Sequence, residues 1–380
     1  MSEIMGPATA ALTSLCPDDV IFLQSLPKAE LHAHLNGSIP IQTIMELAQQ
    51  YSPSSAQTTE VADTIEKLMS GVILNEISDF FSLFPAIYAL TSTPEAVATV
   101  TRAVLQSFLN PTGDGAESPQ CAYLELRTTP RATTHMTRER CLTAVLDEIE
   151  MYPATQAALI VSVDRRMSDF DVEECVSLAI EMKNRGRRIV GIDVCGDPRS
   201  GDMQSFTQHL SKAKGAGLGL TVHIAECTEN TTEDSLAFLS CHPDRLGHAT
   251  FLSDELKTLF FADISQPETE CGSLSLSPSP PHWISKSQRG QYKPCVEICL
   301  SSNLLTKTVT SLDAHHIHYY LKNDHPIVIC TDDTLPFRTS CLGEYSLLLA
   351  QPPLGLGLGR DDVARIARMG MDAAFLRPRD

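Results

Sequence analysis

Residues 27–38 read PKAELHAHLNGS and hold two histidines one residue apart, His32 and His34. Ala29, Leu31, Ala33 and Leu35 alternate with Glu30, His32, His34 and Asn36, the period of a strand, so both imidazoles fall on one face. Gly37 and Ser38 then break the strand. Two imidazoles at the end of one strand face can grip a metal ion together, and zinc is the first candidate for such ligands. The same spacing also describes two unrelated surface histidines. The choice depends on whether other strands bring residues of matching chemistry to the same place.

Apolar runs at 121–128 (CAYLELRT), 157–164 (AALIVSVD), 188–195 (RIVGIDVC), 218–224 (LGLTVHI), 245–249, 296–300 and 327–331 have strand character. Helical stretches separate them, at 41–51, 61–71, 79–90, 94–109, 137–151, 171–185, 203–215, 232–239, 253–261 and 311–322. Two more, 343–349 and 361–375, close the chain. Near-continuous apolar strands alternating with helices mean a parallel sheet covered on both faces. About eight strands suit a closed (β/α)8 TIM barrel better than an open doubly wound sheet, and no glycine-rich phosphate loop follows the first strand. Residues 26–377 are expected to form a single barrel domain after an N-terminal extension, 1–25. Residues 110–120 are loop by composition, and about 265–294, rich in Ser, Pro and Gly, reads as a disordered insertion.

In such a barrel chemistry sits where strands end. Strand ends here carry Asp164, Asp197, His223, His248, Asp332 and Asp333 beside the two histidines of the first strand. Any one alone is more often a helix cap or a satisfied core histidine. Their convergence on one rim points to a shared metal site. Glu226 follows His223 by three residues, which lets it sit beside a metal as a proton donor without binding it. His248 is a candidate to hold or deprotonate a water, and the Asp332–Asp333 pair offers one carboxylate to the metal and one to a substrate.

HAH, GDP, HIAE, GHA, SSN and TDD, in this order, resemble the adenosine/AMP deaminase family from about residue 26 to 377. ELHAHLNGS, ELRTTPR, SVDRR and GDP look most like its N6-methyl-AMP deaminase branch. The resemblance implies an amidohydrolase-type, metal-dependent hydrolase barrel with one Zn²⁺ per chain on His32, His34, His223 and Asp332. It implies that Glu226 protonates purine N1, that His248 and Asp332 orient a hydroxide toward C6, that Asp333 meets N7 and that the Gly196 N–H meets N3. His34, Asn36, Tyr88, Thr128, Thr129, Pro130, Arg131 and Asp164 would complete the substrate contacts. Asn36 stands where adenosine enzymes carry an aspartate that would repel a 5′-phosphate, and Arg131 is the expected phosphate cation. Three departures stand out: His-Ile-Ala-Glu at 223–226 replaces the usual His-Ala-Gly-Glu, Ala249 replaces the last glycine of Gly-His-Gly, and Tyr88 replaces a substrate-side histidine.

The expected partner is a small purine nucleotide, or alternatively the nucleoside adenosine. Two-metal amide or phosphoester hydrolysis would need a bridging lysine at a strand end, and none is there. A catalytically dead binding protein would have lost Glu226 or a ligand, and all are present. The 43% hydrophobic and 20% charged content fit a globular chain with an ample core, while the net charge of −18 argues against nucleic acids and anionic membranes as partners. No run reaches the ~18–20 apolar residues of a membrane span. Twelve scattered cysteines without a CxxC pair read as reduced, buried thiols. A cytoplasmic monomer is the expectation.

Overall fold

The computed structural model describes residues 6–51, 55–75, 77–111, 118–261 and 293–375. Residues 112–117 of the expected loop and 265–292 of the expected insertion lie outside the described residues. Eight strands form one sheet: β1 Ala29–His34, β2 Tyr123–Thr128, β3 Ala157–Asp164, β4 Ile189–Cys195, β5 Gly219–Ile224, β6 Arg245–His248, β7 Cys295–Ile298 and β8 Ile327–Ile329. All neighbours pair in parallel and in sequence order. A bridge between Ala33 and Asp332, with the His34 N–H donating to the Asp332 carbonyl at 3.1 Å, joins the end of β8 to β1. The result is a (β/α)8 barrel of the TIM type. Outer helices start on short polar caps: Thr93, Thr137, Ser168, Asp202 and Thr231 each accept a backbone N–H at the head of the helix that follows.

Local chemistry moved several boundaries. The helix expected at 79–90 is two, Ile77–Phe81 and Phe84–Leu90, because Pro85 has no N–H to continue the first and suits the opening turn of the second. The helix expected at 311–322 starts only at Ile317, where the N–H of Ile317 donates to the His315 ring at 3.0 Å. A short helix, Leu300–Leu305, follows β7 directly and holds the SSN motif. Residues 7–25 form two helices that pack against the helix Cys341–Leu349; the Ser346 hydroxyl donates to the Ala8 carbonyl at 3.2 Å.

The barrel interior is charged rather than aliphatic. Period two turns Glu30 and His32, Glu125 and Arg127, Ser162, Asp193, Thr221 and His223, Arg245 and Glu297 inward, all buried. Each buried charge would cost several kcal/mol unpaired; Glu30 accepts the backbone N–H groups of His32 and Thr331, both at 2.9 Å, and the other charges pair across the barrel. Glu297 accepts from Arg127 at 2.9 Å, Arg245 at 2.7 Å and Thr221 at 2.9 Å. Asp193 accepts from Ser162 at 2.9 Å and lies 3.3 Å from Arg127. At the opposite end from the strand tips, the Phe375 ring stacks on Arg245 at 3.6 Å and its N–H donates to Glu125 at 2.6 Å, closing the barrel floor. Among the described residues no helix is long and apolar enough to cross a membrane, and every described cysteine is a free thiol, buried except for Cys16.

Candidate active site

At the C-terminal ends of the strands three imidazoles meet. His32 Nε2 lies 3.0 Å and His34 Nε2 3.2 Å from His223 Nε2. Asp332 Oδ1 is 3.6 Å from His32 Nε2 and 3.5 Å from His34 Nε2. The second ring nitrogens of His32 and His223 are spoken for: His32 Nδ1 meets Glu297 at 2.5 Å, and His223 Nδ1 meets Asp193 at 3.0 Å and the Val194 carbonyl at 2.9 Å. Those acceptors place the protons on Nδ1 and leave Nε2 lone pairs pointing at one another. Burial, reinforced by Arg127 and the neighbouring imidazoles, holds His32 and His34 well below the usual histidine range, so they are neutral. Burial pulls His223 the same way, but the Asp193 carboxylate outweighs it and raises that ring. Three ring nitrogens and a carboxylate oxygen converge within one small space, the arrangement of a cation site. The donor set of three nitrogens and one oxygen fits Zn²⁺.

The acid–base groups flank this cluster. His248 Nε2 is 3.7 Å from Glu226 and 3.9 Å from Asp332. Glu226 Oε2, both His248 ring nitrogens and Asp333 Oδ1 are buried without a hydrogen-bond partner among the described residues, and all three side chains line one cleft. Burial raises the Glu226 carboxyl to about 7, with Asp332 adding and His223 opposing. Burial and the adjacent Asp332 push Asp333 well above the usual carboxylate range. Gly37 is required here, because a Cβ would lie 1.4 Å from Asp333 Oδ1. Asp332, His248, Ala225 and Ala249 all have positive φ, at 61°, 60°, 47° and 51°. The two alanines therefore occupy left-handed positions that favour glycine, and each strains the backbone by about 1 kcal/mol. The turns are laced in place: the Tyr320 hydroxyl donates to the Ala249 carbonyl at 3.0 Å, and a His316 ring nitrogen meets the His248 carbonyl at 2.9 Å.

Asn36, Tyr88, Thr128, Thr129, Asp164 and Gly196 also line the cleft. The Asn36 amide donates to the Thr91 hydroxyl at 3.2 Å. Gly196 sits at φ +97° with the Asp164 carboxylate 2.6 Å from where its Cβ would be. Asp197, in contrast, is tied to Arg199 at 3.1 Å and is not on the cleft wall. Pro130 and Arg131 are not on it either. The Arg131 guanidinium donates to the Tyr88 carbonyl at 3.0 Å and to the Thr91 carbonyl and hydroxyl at 2.6 and 2.7 Å, with its carbon 4.5 Å from the Tyr88 ring centre. These carbonyls end the helix Phe84–Leu90, so Arg131 caps a helix C-terminus instead of facing a phosphate. Arg131→Ala should therefore cost about 1–3 kcal/mol of stability, read from denaturant unfolding, and leave the nucleotide-to-nucleoside ratio of kcat/KM unchanged. A selective loss on the nucleotide would return Arg131 to the cleft.

Several supporting residues were not anticipated from the sequence. Glu297 and Asp193 orient the histidines from behind, and both are lone charges inside apolar strands (CVEIC, GIDVC), a signal that was there to be read. Arg165 donates to the His223 carbonyl at 2.5 Å, and Asn230 accepts from the backbone N–H of Glu226 at 3.0 Å, steadying the turn that carries Glu226. Phe80, Phe81 and Phe84 form an apolar wall at the mouth. Burial opposes ionisation of Glu297, but Arg127 and Arg245 outweigh it and hold the carboxyl below its usual range. Glu297→Gln removes the charge behind His32. It should weaken metal affinity by about 10- to 100-fold, measured by chelator titration. Wild-type affinity in that variant would show that the carboxylate charge does not tune the cluster.

The eight-stranded barrel thus carries at its C-terminal rim a histidine–carboxylate cluster with the donor set of a metal site. The chain belongs to the adenosine deaminase family, which it matches over residues 27–380. It is 31% identical over 382 residues to an N6-mAMP deaminase of Arabidopsis thaliana, covering 93% of this chain and 94% of that one. Identity to a human N6-Methyl-AMP deaminase is 34% over 335 residues, 86% of this chain and 83% of that one. The crystal structure of Arabidopsis ADAL complexed with IMP superposes with a TM-score of 0.74 at 31% identity, covering 93% of this chain and 94% of that one. The chain is thus a hydrolytic deaminase.

Proposed function

We propose that the enzyme holds one Zn²⁺ per chain on His32, His34, His223 and Asp332 and removes the C6 substituent of N6-methyl-AMP, or another N6-substituted AMP, to give IMP and an amine. The observation that carries this reading is the cluster of Nε2 lone pairs beside a carboxyl held protonatable near neutrality. The named activity of the Arabidopsis and human relatives supports the substrate, and IMP, bound in the solved relative, is the product this reaction would form.

Zn²⁺ in the cluster would supply the Lewis acidity that makes hydroxide available from water near neutral pH. The chain's residues do the rest. Glu226 donates its proton to N1 and makes C6 electrophilic. His248 takes a proton from the water, and His248 and Asp332 aim its oxygen at C6. Asp333, kept protonated by burial, donates to N7, and the Gly196 N–H donates to N3. The water oxygen ends on C6 as the C6–N6 bond breaks. Of the water's two protons, one replaces that lost by Glu226 and the other leaves with the amine. Asn36 brings no negative charge to the cleft, which favours a 5′-phosphate over a bare hydroxyl. Spectroscopic assay of N6-methyl-AMP, AMP and adenosine, with metal content by elemental analysis, tests this. Turnover of adenosine at least as efficient as that of both nucleotides would refute the nucleotide assignment, and fully active metal-free protein would refute the zinc.

A further inference from the structure

With Arg131 capping a helix, a phosphate dianion needs another cation, and the chain as a whole, at −18, repels it. Among the described residues the basic side chains on the cleft wall are Arg127 and Arg166. Arg127 lies fully buried in the barrel, shared by Glu297 and Asp193. Arg166, just past β3, has a side chain 50% exposed and so stands at the mouth. Its Nε donates to Asp164 Oδ1 at 2.8 Å and its Nη2 to Asp164 Oδ2 at 2.6 Å, while its backbone N–H reaches the same Oδ1 at 2.8 Å. The guanidinium carbon is 6.0 Å from the centre of the Phe81 ring on the apolar wall. One edge of the fork is thus clamped by a carboxylate, and the Nη1 edge has no hydrogen-bond partner among the described residues.

We propose that Arg166 is the cation that binds the substrate's 5′-phosphate through that open edge, with Asp164 holding the guanidinium in position. The inference rests on the nucleotide reading above. The direction of the substrate supports it. With C6 at the metal cluster on the cleft floor, the sugar and phosphate extend outward to the mouth. Purine N3 lies on the sugar side of the base, and Gly196, assigned to N3, is the residue against which the Asp164 carboxylate packs. The Asp164–Arg166 pair therefore stands where the ribose ends and the phosphate begins. A planar guanidinium can serve a carboxylate with one edge and a phosphate with another, which a lysine cannot do.

The test compares kcat/KM for N6-methyl-AMP and N6-methyladenosine in the wild type, Arg166→Ala, Arg166→Gln and Arg166→Lys, together with inhibition by IMP and by inosine. Arg166→Ala and Arg166→Gln should lower nucleotide kcat/KM about 10- to 100-fold, mainly through KM, and the nucleoside value far less. IMP inhibition should weaken by a similar factor and inosine inhibition should not. Arg166→Lys should restore part of the loss, because it returns the charge without the fork. If the wild type prefers the nucleotide and the variants keep that preference, Arg166 is not the phosphate cation. Equal losses on both substrates would make it a support for Asp164 and overturn the proposal likewise. A wild type without nucleotide preference would overturn the nucleotide reading itself, and would be seen before any substitution is made.

Discussion

Replacing His223 with alanine is expected to remove metal and deamination together. Its Nε2 is the common neighbour of His32 and His34 at 3.0 and 3.2 Å, so no other ligand can take its place without moving a strand. Loss of one nitrogen from the proposed four-donor site would leave an incomplete set on a rigid rim. The variant should purify with little metal under conditions where the wild type holds about one ion per chain. Activity should fall by several orders of magnitude and recover only with large metal excess. The fold should survive, because β5 keeps its parallel pairing with β4 and β6 through backbone hydrogen bonds. A His223→Ala protein that keeps both stoichiometric metal and wild-type kcat would remove this residue from the ligand set.

Glu226→Gln should separate chemistry from metal binding. Glutamine keeps the shape and can still meet Asn230 through its backbone N–H, but it has no acidic proton to transfer. The expected loss is on the order of 10²–10⁴ in kcat with metal content unchanged, the usual range for a general acid. The sign of the pH dependence follows from burial. Because burial raises the carboxyl to about 7, the protonated donor is lost as pH rises through that value, and wild-type kcat should fall on that side. A dication bound beside Glu226 shifts this limb to lower pH without changing its sign. The same raised carboxyl contributes relative stability that is present below its unfolded value and lost as pH rises through the folded one. Near-normal kcat in the glutamine variant would assign the acid elsewhere.

What the amino-acid sequence determined by itself is the order and parity of the elements. Apolar runs separated by capped helices specify a parallel barrel, because a strand buried on both faces has no other economical partner. Alternation puts His32, His34 and His223 on inward faces, and the strand ends that follow bring Glu226 and Asp332 to the same rim, so this grouping could be made from the sequence alone. The helix boundaries that moved, at 79–90 and 311–322, did so through Pro85 and the His315 side chain, local chemistry weaker than the apolar pattern but still legible.

Only the tertiary structure decided which polar groups are spent on one another. Arg131 lies near the right strand end, yet its guanidinium is consumed by the carbonyls that end a helix 40 residues or so away in sequence. Arg166, just past β3, has one edge held by Asp164 and the other open. Glu297 and Asp193 govern the tautomers of histidines 265 and 30 residues distant. Hydrogen-bond partnership across a barrel depends on side-chain reach and strand register, which join residues far apart in the chain and leave no mark on local periodicity.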